Sequence, residues 1–316
     1  TSRRSSSQIA NEIEFLGSHL TKDVSREHTF IAVSGVSDNT SKGIEIISDT
    51  IFNPIFPSAE IERIRKEKLA DLQSIQDSAD ATAGIATRSI LLGSESPYGH
   101  TIIGNEVSVS SINSDAIQSQ YQDMFHNASK TFLVVGDITS DHSIKLLNEK
   151  FGELPNKHKN RVSEMAPQKT DQNGPVIYLV DRPGSAQSIL RAGHISIPRK
   201  HPDYYALAFV NYILGGDYSS RLNMNLRQDK GYSYGFHSSI EWMNPFSVFL
   251  ARGSVQTEVT KESVFETIKE LTEIRDSNEI SLEEFRKAKD GLIKSVPSQF
   301  ESNQDRKSTR LNSSHT

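Results

Sequence analysis

The segment Leu214-Gly215-Gly216-Asp217-Tyr218-Ser219-Ser220-Arg221 leads into Leu222-Asn223-Met224-Asn225-Leu226-Arg227, and together they constrain the fold more than any other stretch. Two adjacent glycines end one helix, and Ser219 or Ser220 can cap a second. Leu222 and Leu226 share one helical face and turn it toward a core. Gly231 closes that helix, and from Tyr232 the pattern changes to the period of two that marks a strand. Arg227 thus leaves near a helix end and Tyr234 enters on the next strand, so the two can face one site. Local sequence alone also allows a plainer reading, a surface arginine and a half-buried strand tyrosine.

A chain of 316 residues has room for two cores. Its 35% hydrophobic and 24% charged residues belong to a globular protein. The net charge of -5 is carried with basic residues scattered among acidic ones, so no nucleic-acid surface is expected. No apolar run approaches ~18 residues, which excludes a helical membrane span by sequence. The absence of cysteine removes disulfides and thiolate metal sites.

Periodicity and capping residues predict helices over 5–16, 41–52, 60–76, 81–92, 114–125 and 140–151 in the first half. Strands are predicted at 29–36 and 130–137, with a turn-rich loop at 94–105. The polar stretch 153–175 has no period and reads as a linker. Beyond it, strands are predicted at 176–180, 188–197, 232–242 and 246–256, and helices at 204–214, 260–275 and 281–294. Both halves run helix, strands, capped helix, charged helix, which a duplicated unit explains economically. The expected organisation is a first domain at 1–160, a linker at 161–175, a second domain at 176–304 and a tail at 305–316.

The ends carry their own expectations. Thr1 opens directly on a helical pattern, with no signal-peptide profile. The string from Asp305 to His315 resembles the translation of a sequencing adapter and is set aside as an artefact. The chain is expected to be cut at both ends.

Familiar catalytic patterns are missing. No two histidines pair at helical spacing, and neither His-Glu-x-x-His nor His-x-x-Glu-His occurs. His194 and His201 are separated by a strand and a proline turn. Gly215-Gly216 fits no phosphate-binding loop, and no G-x-S-x-G nucleophile motif is present.

What is present resembles a family. Asp217-Tyr218-Ser219-Ser220-Arg221-Leu222, Leu226-Arg227 and Gly231-Tyr232-Ser233-Tyr234 are similar to the C-terminal-domain signature of insulinase/pitrilysin-type zinc peptidases, the group that includes mitochondrial processing peptidase. Ser25-Arg26-Glu27-His28-Thr29, Asn53-Pro54-Ile55-Phe56, Pro97-Tyr98-Gly99 and Val134-Val135-Gly136-Asp137-Ile138 resemble its N-terminal domain, in order. The resemblance runs to about Gln304 and implies an α+β fold (α/β layers): two homologous processing-peptidase-like metallohydrolase domains, each a mainly antiparallel sheet with helices on one face.

In active members, His-x-x-Glu-His supplies two zinc ligands and a general base, and a downstream glutamate is the third ligand. That motif would lie just upstream of Arg4, and Asp71 stands at the third-ligand position with Ile64 replacing a further glutamate. An aspartate is one methylene short of the metal, so Asp71 is read as a solvated helix carboxylate. Glu67 does not align with the ligand. The segments Arg65-Lys66-Glu67-Lys68-Leu69-Ala70-Asp71-Leu72 and Asp181-Arg182-Pro183-Gly184 instead resemble the non-catalytic partners of bacterial heterodimers, which keep an Arg/Tyr pair to hold the substrate backbone.

The resemblance therefore implies a non-catalytic, substrate-holding peptidase subunit. Arg227 and Tyr234 are its substrate-binding residues, and no catalytic residue and no metal ligand is assigned. No cofactor is expected in this chain, zinc residing in a homologous catalytic subunit that completes a heterodimer around a peptide substrate. Two alternatives stay open: an active zinc metalloendopeptidase with its metal motif outside these residues, and a structural subunit without proteolytic role. The residues leave the compartment open; the resemblance alone points to the periplasm, and a cytoplasmic location stays open.

Overall fold

The computed structural model describes residues 1–154, 174–276 and 279–302, apart from the side chains of 126 and 127. The expected tail at 305–316 and all but residues 174 and 175 of the linker's end lie outside that set. The chain forms two compact units, Thr1–Gln76 with Thr101–Ser163, and Asp77–His100 with Glu164–Thr316. Residues 77–100, placed by sequence in the first domain, thus group with the second unit.

In the first unit, α1 (Ser6–Phe15) opens on a reciprocal capping box between Ser5 and Gln8, and Gly17 follows it at φ 59°. A hairpin of β1 (His19–Val24) and β2 (Thr29–Ser34) comes next, paired antiparallel. The sequence reading had β2 but not β1, whose residues are mostly exposed and lack apolar alternation. Helix α2 (Thr40–Phe52) packs Ile46 with Ile13 and Leu16, and Ile44 with Leu146 and Phe151. The charged α3 (Ser58–Asp77) buries no residue fully. The short α5 (Glu106–Ser111), unforeseen in the sequence, is held by Arg65, which donates to the carbonyls of Val109, Ser110 and Ile112. Helices α6 (Ser114–Gln122) and α7 (Ser140–Phe151) complete the unit.

The second unit is built on a three-stranded antiparallel sheet in the order β3-β5-β4, from β3 (Gln187–Ser196), β4 (Ser233–Trp242) and β5 (Ser247–Gln256). One face packs Phe236, Phe249, Ala251 and Val255 against Leu214, Leu222 and Leu226. On the other face, Val248 meets Leu92 of α4 (Ala79–Leu92) in a second cluster with Tyr98, Met243 and Phe246. Helical cover therefore reaches both faces of this sheet, where one face was expected. Among the described residues this unit also holds the α-helices α8 (Tyr204–Asn211), α9 (Arg221–Asn223), α10 (Thr260–Asp276) and α11 (Leu282–Ser295).

The strands predicted at 130–137 and 176–180 enter no ladder. Their β-branched apolar residues favour extended backbone, but a strand also needs a neighbour's edge, which a local pattern does not supply. Among the described residues no helix is long and apolar enough to cross a membrane.

Candidate functional site

The joint between Leu214 and Gly235 is more distorted than its sequence announces. Helix α8 runs on into a π-helical turn, Tyr212–Gly216, and α9 into a second, Met224–Asp229. Such wide turns are costly and concentrate where a helix must redirect side chains. The first is pressed against β4: a Cβ on Gly215 would stand 2.3 Å from the amide nitrogen of Ser238, so only glycine fits. The second lets the Tyr232 amide reach the Leu226 carbonyl at 2.9 Å, and Gly231 at φ 64° turns the chain into β4.

The expected serine cap is absent. Ser220 occupies the N-cap position, but its hydroxyl is buried without a partner. Asp217 organises the loop instead: it accepts from the Ser219 amide at 3.0 Å, from the Ser219 hydroxyl, and from the Tyr212 hydroxyl at 3.1 Å. These hydrogen bonds, led by the Ser219 hydroxyl, hold the Asp217 carboxyl below the ordinary aspartate value.

Arg227 and Tyr234 come together. The Arg227 guanidinium carbon stands 5.1 Å from the centroid of the Tyr234 ring and 4.6 Å from that of Tyr218. A cation over an aromatic ring is held by the ring's quadrupole without using an N–H donor on a hydrogen-bond acceptor. Among the described residues Arg227 makes no hydrogen bond or ion pair, and the Tyr234 hydroxyl has no partner. Tyr234 is 88% exposed. It sits where the pairing of β4 with β5 is irregular, between Ser233 and Phe236, and such a bulge re-aims a side chain out of the regular alternation. Ser233 fixes the bulge, its hydroxyl lying 2.7 Å from the Ser254 carbonyl and accepting from the Gly235 amide at 3.1 Å.

Two further residues of this arrangement, Tyr218 and Asn223, are not singled out by the sequence. Tyr218 is the second ring within cation–π distance of Arg227, and its hydroxyl accepts from Gln228 at 2.9 Å. Asn223, fully buried, donates to the Tyr218 carbonyl at 2.6 Å and accepts from the Phe236 amide at 3.2 Å, tying the loop to β4. The available signal was a polar residue, Asn223, beside Leu222 on the face that the leucines send to the core.

The other candidates do not assemble a metal site. Asp71 pairs with Lys68 at 2.8 Å and is half exposed, Glu67 pairs with Arg63, and Ile64 is exposed. His194 stacks on Phe249, and His201 faces Asp203. Among the described residues no three metal-ligating side chains come together, so those residues do not fit a zinc ion. A polar cleft of about 560 Å³ lies beside the joint, lined by residues that include Arg221, Asn225, Lys230, Glu266, Glu270 and Glu284. Its charges largely satisfy one another through Arg221–Glu284 and Lys230–Glu266 pairs, with Asn225 donating to Glu266 and Glu270.

Solved structures share this fold. A solved peptidase M16 inactive domain from Pseudomonas fluorescens superposes with a TM-score of 0.80 at 20% identity, covering 96% of this chain and 72% of that one. The model of the peptidase M16 inactive domain matches residues 111–292, and that of insulinase (peptidase family M16) matches residues 1–90. The chain belongs to the insulinase-type M16 peptidase family. An uncharacterised zinc protease of Bacillus subtilis, YmxG, is 24% identical over 274 residues, 86% of this chain and 65% of the relative. The β subunit of the Bos taurus mitochondrial-processing peptidase is 26% identical over 235 residues, 72% of this chain and 46% of its own length. The chain thus spans less than two thirds of either relative.

Proposed function

We propose that this chain is the non-catalytic, substrate-holding half of an insulinase-type peptidase, built from two homologous domains and completed by a homologous zinc-bearing subunit. Arg227 and Tyr234 hold the peptide backbone. The observation that carries this reading is a guanidinium within cation–π distance of both Tyr218 and Tyr234 with its hydrogen-bond donors unspent, beside an exposed phenol. In-plane donors of this kind suit peptide carbonyl oxygens. The poor fit of Asp71 and its surroundings to zinc favours a partner as the source of the metal. That a relative is named as a processing-peptidase subunit favours an assembly of more than one chain.

The test is reconstitution of the full chain with a homologous His-x-x-Glu-His subunit. Arg227→Ala and Tyr234→Phe should lower kcat/KM for peptide cleavage by roughly tenfold or more without disturbing assembly. Unchanged activity in both variants would defeat the holding role. The zinc-protease name of the bacterial relative favours one second reading, an active zinc peptidase with its metal motif outside these residues. Peptide hydrolysis inhibited by chelator and borne by the unpartnered protein would select it.

A further inference from the structure

The face of the second unit's sheet opposite the leucine cluster carries an unusual row. Arg191 on β3 stands directly across from Arg252 on β5, and Arg252 directly across from His237 on β4. Directly opposed residues of an antiparallel pair project to the same side, with Cβ atoms about 5 Å apart. The alternation agrees: Phe236 and Ala251 face the core, so their neighbours His237 and Arg252 face away from it. Like charges directly opposed cost stability unless an anion separates them.

Nearby acids do not fill that role for Arg252. Asp80 of α4 takes the Arg191 guanidinium at 2.7 Å, and Glu241 is taken by Arg88. The Arg191 Nε, in a side chain only 8% exposed, is enclosed without an acceptor, so the row holds more donors than its own carboxylates use. Arg252 and His237 are exposed, and among the described residues Arg252 has no hydrogen-bond or ion-pair partner. His237 lies three residues along β4 from Tyr234, roughly 10 Å at strand spacing, so one extended peptide can reach both.

We propose that Arg252, with His237 beside it, binds an acidic side chain of an extended peptide, giving the site a preference for Asp or Glu a few residues from the backbone that Arg227 and Tyr234 hold. The position of the peptide rests on the substrate-holding reading; the charge preference rests on the cationic row. A single unneutralised arginine flanked by serines, Ser239 and Ser254, suits one carboxylate better than a polyanion.

The experiment is calorimetric titration of the full chain with two blocked peptides identical except for a Glu-to-Gln exchange. The acidic peptide should bind about fivefold to tenfold more tightly at low ionic strength, and the gap should shrink in high salt. Arg252→Gln should abolish the gap while leaving the Gln peptide's affinity and the far-ultraviolet circular dichroism unchanged, and Arg252→Lys should restore part of it. Equal binding of the two peptides to the wild type, or an equal loss of both in Arg252→Gln, would overturn the proposal. So would a single-stranded oligonucleotide binding more tightly than the acidic peptide. Arg227→Ala separates the two readings: if it weakens neither peptide while the Glu/Gln gap persists, the holding role fails and the charge preference stands.

Discussion

Arg227 and Tyr234, seven residues apart in sequence, meet with the guanidinium carbon 5.1 Å from the tyrosine ring centroid, across a π-helical turn and a β-bulge. Each distortion contributes. The wide turn carries Arg227 past the register of a regular helix, and the bulge releases Tyr234 from the sheet's alternation. Because Tyr234 is 88% exposed, little of the stability of the fold rests on the pair. Arg227→Ala and Tyr234→Ala should each cost about 0.5–1 kcal/mol, the value of an exposed cation–π contact, in urea denaturation. A loss several times larger would show that the pair is structural.

Asn223 behaves in the opposite way. Its amide joins the Tyr218 carbonyl to the Phe236 amide from a fully buried position. Asn223→Ala strands both groups and leaves a cavity, so a loss of about 2–4 kcal/mol is expected in the same assay. Retention of wild-type stability would mean that the bridge is dispensable.

Gly215 is a steric requirement. Adding a methyl places a carbon 2.3 Å from the Ser238 amide nitrogen of a central packing contact. Gly215→Ala should therefore destabilise by about 1–3 kcal/mol and shift the joint against β4. Gly231→Ala tests a different effect, since its space is open and only the φ of 64° is strained.

The Arg221–Glu284 pair sets a pH dependence. Hydrogen bonds from Arg221 and from Ser281 hold the Glu284 carboxyl down to about 2, below its ordinary 4.5, although burial opposes them. A depressed carboxylate stabilises the fold fully above 4.5, and that contribution is lost as pH falls from 4.5 toward about 2. Glu284→Gln should lower stability at neutral pH by about 1.5–3 kcal/mol and flatten the acid limb of a thermal-melt pH series. An acid limb that keeps its wild-type slope would assign the transition to other groups.

Metal analysis offers a further check. With Asp71 committed to Lys68 and no triad of ligands among the described residues, the purified chain should carry no stoichiometric zinc after dialysis. One tightly held zinc per chain would contradict the reading of Asp71 as a surface carboxylate.

The sequence by itself determined the local elements and the family. Ser5 with Gln8 and Ser281 with Glu284 announce their helix starts because a capping box is satisfied within four residues. Leu222 and Leu226 announce a buried face because helical spacing is a local property, and both are fully buried. The seven-residue spacing of Arg227 and Tyr234 was equally legible.

Only the tertiary structure decided what those elements meet. The runs at 130–137 and 176–180 read as strands but enter no ladder, because pairing is made by a neighbour distant in sequence. Residues 77–100 join the second unit because Leu92 and Tyr98 pack with Met243, Phe246 and Val248, a contact more than 140 residues away along the chain. Tyr218 comes within cation–π distance of Arg227, and Arg252 stands between Arg191 and His237, through folding alone. Spacing along a chain fixes which side of an element a residue occupies; the charge or ring across from it is set by packing and register.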